Sequence, residues 1–204
     1  LDSTITSFES IKYAKTDEGT SIYADALCAD GSSMVTEFIY WSDYYNSIIS
    51  PFYSYSTGRT KETIRSSQVT CRDIDGDGCI EIPEDTSSKK QSSEITSQNW
   101  VNYGNTVLSH KCYSFSCKRD GYILVIDDDD FSKVKANYDS ESRKLTIINK
   151  KNKSNVFEIV TLINSNYSVN DPKYKDYTMI MKNSGFVYLA KVNKSSDIDI
   201  NIQT

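Results

Sequence analysis

The stretch Cys71-Arg72-Asp73-Ile74-Asp75-Gly76-Asp77-Gly78-Cys79-Ile80-Glu81-Ile82-Pro83-Glu84 concentrates the residues with obvious chemistry. With Asp73 as loop position 1, Asp75 and Asp77 stand at positions 3 and 5, and Glu81 at position 9. Three aspartates on one short turn repel each other unless a cation sits among them. Oxygen-only ligands at this spacing suit a hard ion of calcium size, which takes roughly 6–8 oxygens. The expected side-chain ligands are Asp73, Asp75, Asp77 and Glu81. Cys79, at position 7, would offer its main-chain carbonyl. Gly76 and Gly78 let the backbone fold tightly around the ion. The plainer alternative is an acidic turn between two strands that holds no ion.

The flanks decide what kind of loop this is. Glu84 stands at position 12, where a helix–loop–helix hand places its bidentate glutamate. However, Gln68-Val69-Thr70-Cys71 is β-branched and extended in character. Cys79-Ile80-Glu81-Ile82 alternates like a short strand and runs into Pro83. A strand–loop–strand site therefore fits better, with Glu81 as its last carboxylate. The loop resembles the calcium loop of FG-GAP and VCBS repeats of β-propellers, whose pattern is Asp-x-Asp-Gly-Asp-Gly-x-x-Asp. It departs from that pattern at Glu81, which replaces the final Asp.

The chain of 204 residues suits one large domain or two small ones. A net charge of −5, without a basic stripe, argues against nucleic acid as a partner. No apolar run approaches the roughly 20 residues of a membrane span. No signal peptide is visible at Leu1, and the abrupt start leaves room for an upstream lipid anchor. Abundant Ser, Thr, Asn, Tyr and Asp give a β-rich, extracytoplasmic character. The five cysteines, Cys28, Cys71, Cys79, Cys112 and Cys117, are odd in number, so at least one is unpaired within the chain. Cys112 and Cys117, five apart on one strand, face opposite sides, cannot bridge and read best as small buried hydrophobes. Calcium argues for the outside of the cell.

The predicted fold class is mainly β (α+β). A propeller-blade-like antiparallel part carrying the calcium loop is expected over 1–84, a linker over 85–98, and an antiparallel, α/β-sandwich-like domain over 99–204. Residues 1–20 read as a polar, weakly patterned tail. Leu27-Cys28-Ala29-Asp30 echoes Thr70-Cys71-Arg72-Asp73, with Cys71 43 residues after Cys28, about the length of a blade. Strands are expected over 21–30, 34–41, 45–50 and 62–66. The first echo lacks the second and third aspartates and should bind no ion. Further strands are expected at 99–103, 107–115, 122–126, 133–138, 144–149, 177–181 and 186–192, and 156–163 reads as another strand or as the start of a helix. The hairpins turn about Gly104-Asn105, about 139–142 and about Asn183-Ser184-Gly185. The run Asp127-Asp128-Asp129-Asp130 reads as a solvated turn or helix start.

The order of the calcium loop, the Trp100, Tyr113 and Tyr122 segments and the Phe131-Ser132-Lys133-Val134 hairpin is similar to a family of uncharacterised secreted or lipoprotein-type proteins of clostridial bacteria. That resemblance implies a propeller-like calcium region followed by a small α/β sandwich, and it implies no activity. His110 is the single histidine, and no Gly-x-Ser-x-Gly elbow or phosphate loop is present. The expected function is therefore a secreted or cell-surface calcium-binding module for a protein or glycan partner. Its binding surface would be the aromatic group Tyr40, Trp41, Tyr44, Tyr45, Phe52, Tyr53 and Tyr55, unless these residues pack as core. The competing reading is an extracellular, glycosidase-like hydrolase with a carboxylate pair that leaves no sequence signature.

Overall fold

The computed structural model describes residues 1–16, 19–86, 94–104, 106–168, 171–193 and 198. The fold is mainly β, built from antiparallel sheets that do not close into a barrel. Among the described residues, helix is confined to the four-residue α1 (Asp128–Phe131) and two 3-10 turns at Asn164–Asn166 and Pro172–Tyr174. The helical layer implied by an α/β sandwich is thus not among them. The Asp127 carboxylate caps α1 by accepting the Asp129 amide at 3.0 Å, so the acidic run is a helix start.

The first sheet is a meander of β1 (Ile5–Thr16), β2 (Gly19–Cys28), β3 (Met34–Ser42) and β4 (Ser47–Ile49), in that order. It has the strand count of a propeller blade, but its members differ from the expected ones. The expected tail contributes β1, a twelve-residue strand. Residues 62–66 contribute only the single bridge of Arg65 to Met34. The first echo ends β2 and enters a tight turn at Gly31 (φ 68°), where Asp30 accepts the Ser32 and Ser33 amides. Two-residue strands β5 (Tyr53–Ser54) and β6 (Arg59–Thr60) pair with each other.

A second sheet has the order β10-β9-β8-β7, from β7 (Ile82–Asp85), β8 (Ile95–Gly104), β9 (Val107–Cys117) and β10 (Tyr122–Ile126). The third has the order β11-β12-β13-β15-β14, from β11 (Val134–Asp139), β12 (Lys144–Asn149), β13 (Asn155–Ile163), β14 (Thr178–Lys182) and β15 (Phe186–Val192). In β12, Leu145, Ile147 and Asn149 are buried while the residues between them are half-covered, which is the period of a strand with one face on a core.

The chain forms two compact units, Leu1–Ser87 with Gln98–Cys112, and Ser88–Ser97 with Tyr113–Thr204. Of the expected linker 85–98, Asp85 ends β7 and 95–98 begin β8, while 87–93 lie outside the described residues. Asp85 is tied down, since its Oδ2 accepts the Ser66 amide and hydroxyl, each at 2.6 Å. Asn105, the expected hairpin turn, also lies outside the described residues.

In the first unit the core is aromatic. The Phe38 ring lies 4.6 Å from Tyr103 and 4.9 Å from Tyr23, and Phe52 meets Tyr103 edge-on at 5.6 Å. Polar groups are buried beside it. The Asp2 carboxylate is covered by the chain, which by itself would raise its pKa. Hydrogen bonds from the Thr4 hydroxyl and amide, the Thr60 amide and Arg59 outweigh that and bring it down to about 2. A depressed carboxylate contributes stability above its unfolded pKa of about 3.9, lost as pH falls through the folded value. Asp2→Asn should therefore flatten the fall in melting temperature between about pH 4 and pH 2, as read by a pH series of thermal melts.

In the second unit Phe115, Leu145, Ile147, Val156 and Phe157 are buried together, and Tyr113 stacks on Phe131 at 4.3 Å between ring centroids.

Candidate metal centre

The 73–81 loop is closed at its base by a β-bridge. The Arg72 amide donates to the Glu81 carbonyl at 3.1 Å and the Glu81 amide to the Arg72 carbonyl at 2.9 Å. The expected strand at 68–71 is not formed: these residues have no regular structure, Arg72 makes only the bridge, and β7 follows the loop, so no helix flanks it. Gly76 (φ 82°) and Gly78 (φ 87°) both adopt the left-handed backbone that glycine takes without strain. These turns aim successive amides inward. The Asp73 carboxylate accepts Gly76 N–H at 2.6 Å, Asp77 N–H at 3.1 Å and Gly78 N–H at 2.9 Å.

One carboxylate oxygen each from Asp73, Asp75 and Glu81 falls within 4.8 Å of the others. Two of these side chains are exposed, while Glu81 is fully buried. Its Oε2 accepts the Ile74 amide at 3.0 Å, and its Oε1 is buried without a hydrogen-bond partner among the described residues. Burial pushes the Glu81 pKa up, as do the charges of Asp75 and Asp77, against the pull of the Ile74 amide. An unpaired buried carboxylate oxygen is expensive to maintain. A cation among the three acids would satisfy it and relieve their repulsion.

Asp77 is not in that converging group. Its Oδ2 holds the Lys111 ammonium at 2.6 Å, and its Oδ1 accepts the Cys79 amide at 2.8 Å. Lys111 and the Cys79 amide hold the Asp77 carboxyl below its ordinary range. The same ammonium lies 2.9 Å from Asp75 Oδ2. Cys79 itself is half-buried in the loop. Glu84 turns elsewhere, its Oε2 accepting the Asn99 side-chain amide at 2.8 Å. Asn99 Oδ1 in turn meets His110 Nδ1 at 2.5 Å, so the histidine belongs to a row of polar residues across β7, β8 and β9.

Sequence spacing does not reveal the residues that position the loop. Asp25 and Arg65 form a fully buried ion pair at 2.8 Å. Asp25 Oδ2 also receives the Cys71 amide at 2.9 Å and the Cys71 thiol at 3.0 Å. Burial and the neighbouring Asp25 charge push the thiol's pKa well up, so it stays protonated and donates. The Lys12 ammonium bonds the Cys71 carbonyl. The loop thus starts from a residue pinned at its amide, thiol and carbonyl. Lys111 was likewise invisible, because it lies 34 residues beyond Asp77 and only the fold brings it there.

The aromatic group divides. Phe52 belongs to the core, with Tyr40 half-buried against it. Trp41, Tyr44, Tyr45 and Tyr55 are exposed, and the Trp41 indole N–H donates to Asp43 at 3.0 Å. Searches against protein-family models, curated proteins and solved structures find no match for this chain.

Proposed function

We propose that the chain is a calcium-stabilised, non-catalytic binding module that works outside the cytoplasm, in secreted or surface-attached form. The observation that carries the metal part is the buried, unpartnered Glu81 Oε1, whose carboxylate converges with those of Asp73 and Asp75. These three acids would hold a calcium ion, with Asp77 and the Cys79 carbonyl joining them. The ion's role would be to fix the loop between Cys71 and β7. No helix among the described residues is long and apolar enough to cross a membrane.

The partner would be a glycan or protein that stacks on the exposed aromatic side chains at the β3–β4 hairpin. Trp41 pairs with Ile48 across that hairpin, and both are exposed. Tyr44 and Tyr45 lie in its turn, with ring centroids 4.8 Å apart. Large, rigid side chains of this kind give contact area at low entropic cost.

One calorimetric experiment with a matched variant tests the reading. Calcium at about 100 times its dissociation constant should add about 2.7 kcal/mol of stability to the chelator-treated protein. Trp41→Ala should keep the wild-type melting temperature and lose retention on immobilised glycan or envelope protein. Identical scans in chelator and millimolar calcium would remove the metal from the reading. Unfolding by Trp41→Ala would remove the aromatic surface.

A further inference from the structure

Lys111 carries the wrong charge for a metal ligand, yet its ammonium occupies two of the acids just described. We propose that Lys111 is a tethered competitor for the divalent cation, so that the loop alternates between an ammonium-held and an ion-held state. The proposal rests on the metal reading above and adds a regulatory element to the same site.

The ammonium and an ion would compete for Asp75, the one acid they share, and for Asp77 if the ion recruits it. A calcium ion binds carboxylate oxygens at 2.3–2.6 Å. Lys111 Nζ already lies 2.9 Å from Asp75 Oδ2 and 2.6 Å from Asp77 Oδ2. Two cations sharing these oxygens would sit within a few ångströms of each other and repel strongly. Asp75 is the shared acid: it converges with Asp73 and Glu81 and also holds the ammonium, while Asp77 is turned to the ammonium and lies outside the group.

Displacement is also mechanically easy. Lysine is a compact charge on a flexible four-carbon stem, and this side chain is already 28% exposed. It can swing to water without disturbing β9. Asp75 and Asp77 are themselves more than a third exposed, so an arriving ion meets the oxygens that the ammonium holds. Glu81 is fully buried behind them. Apparent affinity falls by the fraction of molecules in the competent state, so an ammonium present nine-tenths of the time would weaken binding about tenfold.

Isothermal titration of chelator-stripped protein with calcium chloride, in wild type, Lys111→Met and Lys111→Arg, tests this. Lys111→Met should bind calcium about tenfold tighter than wild type, and its metal-free form should melt lower, because the acids lose their counter-ion. Lys111→Arg, which keeps the charge, should remain weak. Lys111→Gln replaces the methionine variant if circular dichroism shows the latter unfolded. Equal dissociation constants in wild type and Lys111→Met would overturn the competition while leaving the metal site standing. Weaker binding by Lys111→Met would overturn it by making the ammonium a support of the bound state. Absence of binding heat in every protein would overturn the competition and the metal reading together.

Discussion

Arg65→Met should destabilise the unit formed by Leu1–Ser87 and Gln98–Cys112 by about 3–5 kcal/mol, the usual cost of removing one partner of a buried ion pair. The guanidinium is fully buried and makes three hydrogen bonds besides its charge contact with Asp25. Nη1 donates to the Thr36 hydroxyl at 2.9 Å and the Thr63 carbonyl at 3.1 Å, and Nε donates to the Val69 carbonyl at 2.8 Å. Nη2 donates to Asp25 Oδ1 at 2.8 Å. Methionine matches the length of the stem but leaves Asp25 as a buried charge with only neutral donors, Thr36 and Cys71, on its oxygens. The loss appears as a lower urea midpoint followed by tryptophan fluorescence, since Trp41 and Trp100 both lie in that unit. The double variant Asp25→Ala, Arg65→Met should recover part of the loss, because the uncompensated charge is gone. A shift below about 1 kcal/mol for Arg65→Met would show that the pair does not hold the fold together.

The second large effect belongs to the other unit. Asp120→Ala should cost about 3 kcal/mol, read as a lower urea midpoint by far-ultraviolet circular dichroism. The Asp120 side chain is fully buried. Oδ1 accepts both Arg143 Nε, at 2.8 Å, and Arg143 Nη2, and Oδ2 accepts the Tyr138 hydroxyl at 2.7 Å. Its carbonyl receives the Tyr188 hydroxyl at 2.9 Å. One residue in the β9–β10 turn thereby ties β11, β15 and the β11–β12 turn to itself. Burial and the hydrogen bond to Asp120 push the Tyr138 pKa up, so that hydroxyl stays a donor. Arg143 also packs over the Phe186 ring at 4.6 Å, a contact the alanine variant keeps. Tyr138→Phe, which removes one neutral hydrogen bond, should cost only about 1 kcal/mol. Equal costs for the two variants would mean that the Asp120–Arg143 pair contributes nothing.

What could be read from the chain depended on the range of the forces involved. The loop glycines, the alternation in β12 and the turn at Asn183 are local, and each announces itself within a few residues. β1 did not, because its large apolar residues Phe8, Ile11 and Tyr13 face outward. Ile11 and Tyr13 are exposed while Ser10, Lys12 and Thr16 are half-covered, so the period of two is present with its usual polarity inverted. Residues 62–66 misled in the opposite sense. Thr63 and Arg65 are buried, but as polar struts reaching into β3, not as members of a ladder. At the metal centre, the acid spacing was legible and the partners were not. Lys12, Asp25 and Lys111 meet the 71–81 segment only because strands far away in the sequence deliver them.

The inverted polarity of β1 has a bearing on how the protein keeps to itself. β1 stands at the end of its sheet, so one side of its backbone has no strand neighbour within that sheet. A long strand in that position, with Phe8, Ile11 and Tyr13 exposed, offers a template for strand addition by another copy. Two register shifts, between Ile5 and Ser7 and between Phe8 and Ser10, interrupt the ladder at its start. Such bulges bend and twist an edge out of line with an incoming strand. Lys15, which is exposed, places a charge along the remainder. The irregularity at the start of β1 thus acts as a guard against pairing of one molecule's sheet with another's, on an open edge that exposes Phe8, Ile11 and Tyr13.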